Sequence, residues 1–146
     1  MKATRLRQGF SLVELMIVLA VIMILAAIAI PHFHEQLALT HETAAVEQIK
    51  TLQTMQAQYY AQFGRYAPTL ADLGPPPGAG LIPKSLADGR KTGYIFSVYG
   101  TTDSYSVRAI PETFGSSGRR TFYSDESHVI RQNWSAQPAD LNSPEI

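Results

Sequence analysis

Residues 10–30, FSLVELMIVLAVIMILAAIAI, decide the architecture of the chain: 19 of these 21 positions are apolar, and the exceptions are Ser11 and Glu14. As a helix rising about 1.5 Å per residue, the stretch reaches roughly 30 Å, the thickness of a bilayer's hydrocarbon core. It predicts a membrane segment. Ahead of it, MKATRLRQG carries Lys2, Arg5 and Arg7 and no acid. The positive-inside rule places that end in the cytoplasm and everything after Pro31 on the far side of the membrane.

Averaged over its length, the chain hides this segment. It has 146 residues, 12 basic and 12 acidic side chains, no cysteine and 45% apolar residues, the profile of one small neutral domain. A multidomain enzyme is excluded by length, and disulfides, cysteine-based zinc sites and iron–sulfur clusters are excluded by composition. Zero net charge argues against a broadly basic nucleic-acid binder, so no nucleic-acid partner is expected. The neutrality is itself a sum of a leader at +3 and a remainder, from Phe10 onward, with 9 basic and 12 acidic residues.

Glu14 is the informative residue. A charge near the bilayer centre costs at least about 2.5–3.5 kcal/mol, so an acid retained in such a run reads as functional. The positive end of the helix lowers that cost if Glu14 lies nearer the interface. A cleaved secretory signal, with Ala27-Ile28-Ala29 as its small-x-small site, and a plain N-terminal anchor are the two alternatives. Neither accounts for the acid.

The ordered run Arg7-Gln8-Gly9, then Phe10-Ser11-Leu12-Val13-Glu14-Leu15, then an unbroken apolar stretch to Ile30-Pro31, resembles the N-terminal signature of type IV pilins and pseudopilins. The resemblance implies that a prepilin peptidase cuts between Gly9 and Phe10 and methylates the new Phe10 amino group. It further implies that Glu14 pairs with the Phe10 amine of a neighbouring subunit during assembly. A buried carboxylate becomes tolerable when paired, and such a pair fixes the axial register of adjacent helices. The implied partners are other pilin-like subunits in a homo- or hetero-oligomeric filament, the peptidase/methyltransferase, an inner-membrane assembly platform and membrane lipid. No cofactor is implied.

Helical character continues beyond Pro31, with no further Gly or Pro before Gly64. Leu37, His41, Ala45, Ile49, Leu52, Gln56, Tyr59 and Phe63 recur at steps of three or four and predict an amphipathic helix over residues 32–64. Pro31 removes one backbone hydrogen bond and is expected to kink the helix at the membrane boundary. Gly64 is the expected C-cap. The apolar stripe calls for a sheet from the same chain to cover it.

Past Gly64 the pattern changes. A loop with one short helical turn near Leu70–Leu73 leads into the irregular GPPPGAG of residues 74–80. Alternation then predicts strands at residues 93–99, 104–110, 120–124 and 129–131, the first two presenting Tyr94, Phe96, Val98 and Tyr105, Val107, Ala109 on one face. The expected fold is α+β and pilin-like: a long N-terminal helix packed on a small antiparallel sheet of about four strands. The divisions are a leader at 1–9, a transmembrane and polymerisation helix at 10–31, an amphipathic helix at 32–64, a loop-and-sheet head at 65–132 and a tail at 133–146, flexible or draped on the surface.

Other candidate chemistry is weak. His34-Glu35 and His41-Glu42 each begin like the zinc-peptidase motif HExxH, but Ala38 and Ala45 stand where the second ligand should be, which points to a solvated helix face and no metal site. Asp103, Asp125 and Glu126 read as turn acids. Arg119-Arg120 reads as an edge-strand solubility device. No nucleophile or phosphate-binding motif is present, so no catalytic residue is assigned. The expected function is that of a structural pilin or pseudopilin subunit of a type IV pilus-like or type II secretion filament, and not that of an enzyme. The alternatives are a minor pseudopilin that primes or tips the filament and a membrane-anchored periplasmic binding module.

Overall fold

The computed structural model describes residues 9–146, and the side chains of residues 30–34 lie outside that description. Of the expected leader, only Gly9 falls among the described residues. Helix α1 runs Leu12–Phe63. Its first turn closes with Leu15 N–H donating to Ser11 O at 3.2 Å. Its last ends at Gly64, which adopts φ +68° and donates its N–H to Tyr60 O at 2.8 Å. Glycine reaches this left-handed conformation without steric cost, which is why the helix stops there.

The chain divides into two units, one ending at Glu35 and the other covering Gln36–Ile146. In the second, the helical residues from Gln36 to Phe63 are followed by two single-turn helices, α2 (Leu70–Leu73) and α3 (Lys84–Ala87), and five strands. These are β1 (Arg90–Lys91), β2 (Tyr94–Gly100), β3 (Tyr105–Pro111), β4 (Thr121–Asp125) and β5 (Ile130–Asn133), paired antiparallel in the order β1-β2-β3-β4-β5. The fold is α+β as the patterning predicts, with five strands where about four are expected. The additional one, β1, has two residues, too few to carry an alternating signal, and exists only because Arg90 and Lys91 pair with Ile95 and Tyr94.

The core forms where Ala45, Ile49, Leu52 and Tyr59 of α1 meet the sheet face of Tyr94, Phe96, Val98, Tyr105, Val107 and Phe122, closed at one side by Leu70, Leu73 and Leu86. The expected alternation holds in β2 and β3, whose inward residues are all buried. It fails in β4, where all five residues are buried. The C-terminal residues account for this: Thr121 Oγ1 donates to Gln137 O at 2.8 Å, and Ala139 is buried. The last residues also lie along the free edge of β5, with Gln132 N–H donating to Pro144 O at 2.8 Å and Ile146 N–H to Ile130 O at 3.1 Å. Residues 133–146 are thus draped on the sheet and cover backbone groups that an edge strand would otherwise leave open.

Candidate assembly site

The N-terminal unit presents an uncovered apolar helix. Leu12–Ala29 has a mean hydropathy of 3.0, and none of it is buried within the chain. Phe10 precedes the helix and is 82% exposed, and Gly9 has open space around its α-carbon. Apolar surface on this scale calls for lipid or other helices to cover it. Glu14 sits in the first turn of α1, where the positive end of the helix dipole favours an anion. Among the described residues it has no hydrogen bond or ion pair. In apolar surroundings such a carboxyl group is tolerated only when neutralised, by a proton or by a paired cation. Pro31 lies within the helical span of α1, and its side chain is outside the described residues.

In the second unit, polar side chains fix the helix to the sheet; the expected stripe included Gln56 and left out Glu42 and Gln53. The buried face of α1 runs through Ala38, Glu42, Ala45, Ile49, Leu52, Gln53, Gln56 and Tyr59, while Leu37 and Phe63 are exposed. The stripe expected from Leu37 and His41 is therefore displaced by one residue at its start, to Ala38 and Glu42. Glu42 is not on a solvated face: it is 1% exposed and accepts hydrogen bonds from Arg119 N–H and Arg120 Nε, both at 2.7 Å. Arg120 is likewise no solubility device. Its guanidinium lies 5.3 Å from the Phe122 ring centroid and 4.9 Å from that of Trp134, and Nη1 donates to Gln132 Oε1 at 2.8 Å.

Two further pairs join the helix to loops. Gln56, fully buried, donates through Nε2 to Ala67 O at 3.0 Å and accepts from Ala67 N–H at 2.8 Å. Gln53 Nε2 donates to Ser124 Oγ at 2.6 Å and to His128 O at 3.2 Å. His41 Nδ1 lies 3.1 Å from Ser117 O. No cluster of three or more His, Cys, Asp or Glu side chains suited to a metal ion occurs among the described residues. The signal that could have exposed Glu42 and Gln53 was their helical spacing from Ala45, Ile49 and Gln56.

Residues 4–30, which contain Gly9, Phe10 and Glu14, match the prokaryotic N-terminal methylation motif. The chain is 41% identical over 73 residues to the type IV major pilin protein PilA of Myxococcus xanthus, a match covering 50% of this chain and 33% of that protein. The N-terminal half of the chain is thus similar to type IV pilins. A fimbrial protein of Pseudomonas aeruginosa is 52% identical over 48 residues, 33% of this chain and 31% of its own length. The type IV major pilin protein PilE1 of Neisseria gonorrhoeae is 34% identical over 74 residues, 49% and 45% of the two chains. The chain thus spans between about a third and less than half the length of the curated relatives it matches.

Proposed function

We propose that the chain is a structural pilin subunit, processed at Gly9 and assembled through its N-terminal helix into a type IV pilus-like filament, with no catalytic role of its own. The observation that carries this reading is the 18-residue apolar helix with none of its surface covered, entered by a carboxylate that has no partner among the described residues. Cutting between Gly9 and Phe10 creates an amino group four residues before Glu14. In a neighbouring subunit displaced along the filament by about 6 Å or more, the rise of four helical residues, that amine meets the Glu14 carboxylate. The pair neutralises both charges in apolar surroundings and sets the stagger of the helices.

Before assembly, the helix residues 10–31 hold the subunit in the inner membrane, with the basic leader in the cytoplasm and the head outside it. The partners are a prepilin peptidase/methyltransferase, the inner-membrane assembly platform, lipid and other pilin-like subunits. Pro31, lacking a backbone N–H, takes one hydrogen bond out of the helix near the end of the apolar segment. The similarity to major pilins and to a fimbrial protein favours a pilus over a secretion pseudopilus.

Mass spectrometry of the mature N-terminus tests the processing step. The expected chain starts at N-methylated Phe10; a start at Met1 indicates a plain anchor, and a start at Ile30 a cleaved secretory signal. Glu14→Leu tests the pairing, because the variant should still insert in the membrane while failing to enter filaments. Normal incorporation of that variant would overturn the role given to Glu14.

A further inference from the structure

The two ends of the head carry complementary surfaces. At the end where α1 stops, Phe63 is 53% exposed and Tyr60 42% exposed, and the exposed Arg65 follows two residues after Phe63. At the other end, the loop after β3 exposes Glu112 and, two residues on, Phe114, which is 42% exposed. Neither Arg65 nor Glu112 makes an ion pair or side-chain hydrogen bond among the described residues.

Several contacts fix the loop at the start of the head's helix. Ser117 O meets His41 Nδ1 at 3.1 Å, Arg119 N–H donates to Glu42 at 2.7 Å, and Glu112 N–H is held by Gly93 O at 2.9 Å. The helical rise from His41 to Phe63 is about 33 Å, so the two surfaces lie at opposite ends of the head. One end thus exposes aromatic residues and a cation, and the other an aromatic residue and an anion.

We infer that these ends are the two halves of one head-to-tail contact between copies of this chain, with Arg65 and Phe63 of one subunit seated against Glu112 and Phe114 of the next. This inference rests on the filament reading above. Because the surfaces differ, the contact is heterologous: each subunit that uses one end leaves the other free, so the contact propagates along a helical array without closing on itself as a two-fold dimer does. Opposite charges select the register and reject the reversed orientation, in which like ends would meet. Apolar burial between the exposed rings supplies the attraction.

Charge exchange tests the contact in the assembling full-length chain. Arg65→Glu and Glu112→Arg should each lower filament yield about tenfold, and the double variant should restore it, since like charges facing across an interface are strongly disfavoured. Unchanged thermal melting of each variant confirms that the exposed substitutions leave the head folded. As the chain has no cysteine, Arg65→Cys combined with Glu112→Cys provides a direct probe. Treating its filaments with a short bismaleimide should give a ladder of covalent multimers, and neither single variant should give more than a dimer. Wild-type filaments whose double-cysteine counterparts give no ladder, or charge reversals that change nothing, overturn the head contact alone. A wild-type chain that forms no filament in an assembly-competent cell overturns the filament reading and this contact with it.

Discussion

Glu42 on the helix and Arg120 at the start of β4 form a 2.7 Å ion pair whose carboxylate side chain is 1% exposed and whose guanidinium is 21% exposed. The pair joins residues 78 positions apart in sequence. Phe122 and Trp134 flank the guanidinium, and Tyr94 Oη donates to the carbonyl of Arg120 at 2.8 Å. The pair therefore locks the sheet, the C-terminal residues and the first turns of the head's helix to one another.

Removing one partner should be worse than removing both. Glu42→Ala leaves the Arg120 guanidinium and the Arg119 N–H without their acceptor, with an expected loss of about 3–5 kcal/mol. Glu42→Leu with Arg120→Met should lose less than the sum of the single changes, because no uncompensated charge remains. Denaturant unfolding of the four chains of this cycle, in detergent, gives the coupling energy.

Gln56 and Ala67 exchange two hydrogen bonds in a fully buried setting. Gln56→Leu preserves volume but strands the N–H and the carbonyl of Ala67, at about 1–3 kcal/mol each. Gln56→Glu should behave differently with pH. A carboxylate accepts from Ala67 N–H but donates to Ala67 O only when protonated, so folding raises its pKa above the unfolded value near 4. Stability of this variant should then be full at acid pH and fall as pH rises through the folded pKa, which thermal melts across that range would display.

Tyr105 offers a gain. Among the described residues its hydroxyl is buried without a partner, and burial, followed by the neighbouring Tyr66, Asp125 and Glu126, pushes the phenol well above its usual range. Burial and then Glu42 do the same to Tyr94, whose hydroxyl is used. The neutral phenols are favoured in the fold, so their contribution is complete below the unfolded pKa near 10 and is lost as pH rises beyond it. Tyr105→Phe should be neutral or up to about 1 kcal/mol stabilising near pH 7, with a larger advantage above about pH 10. Melting temperatures at the two pH values decide it, and a destabilised variant at both would show that the hydroxyl has a partner.

The membrane helix, its acid and the inward faces of β2 and β3 were legible in the sequence because local spacing alone encodes them. A run of 19 apolar residues in 21 needs no tertiary partner to be recognised, and alternation in residues 94–98 and 105–109 reports one covered face. What only the tertiary structure decided is which polar residues are interior. Glu42 and Gln53 look like the solvated side of a helix, and Gln56 like a polar interruption of its apolar stripe, until Arg120, Ser124 and Ala67 are brought against them. Strand β4 loses its alternation because the C-terminal residues cover its second face, and β1 exists only through its pairing with β2. Hydrophobic periodicity records burial from one side by apolar neighbours; a buried charge or amide is stable only through a partner that may lie 78 residues away, and no local pattern carries that information.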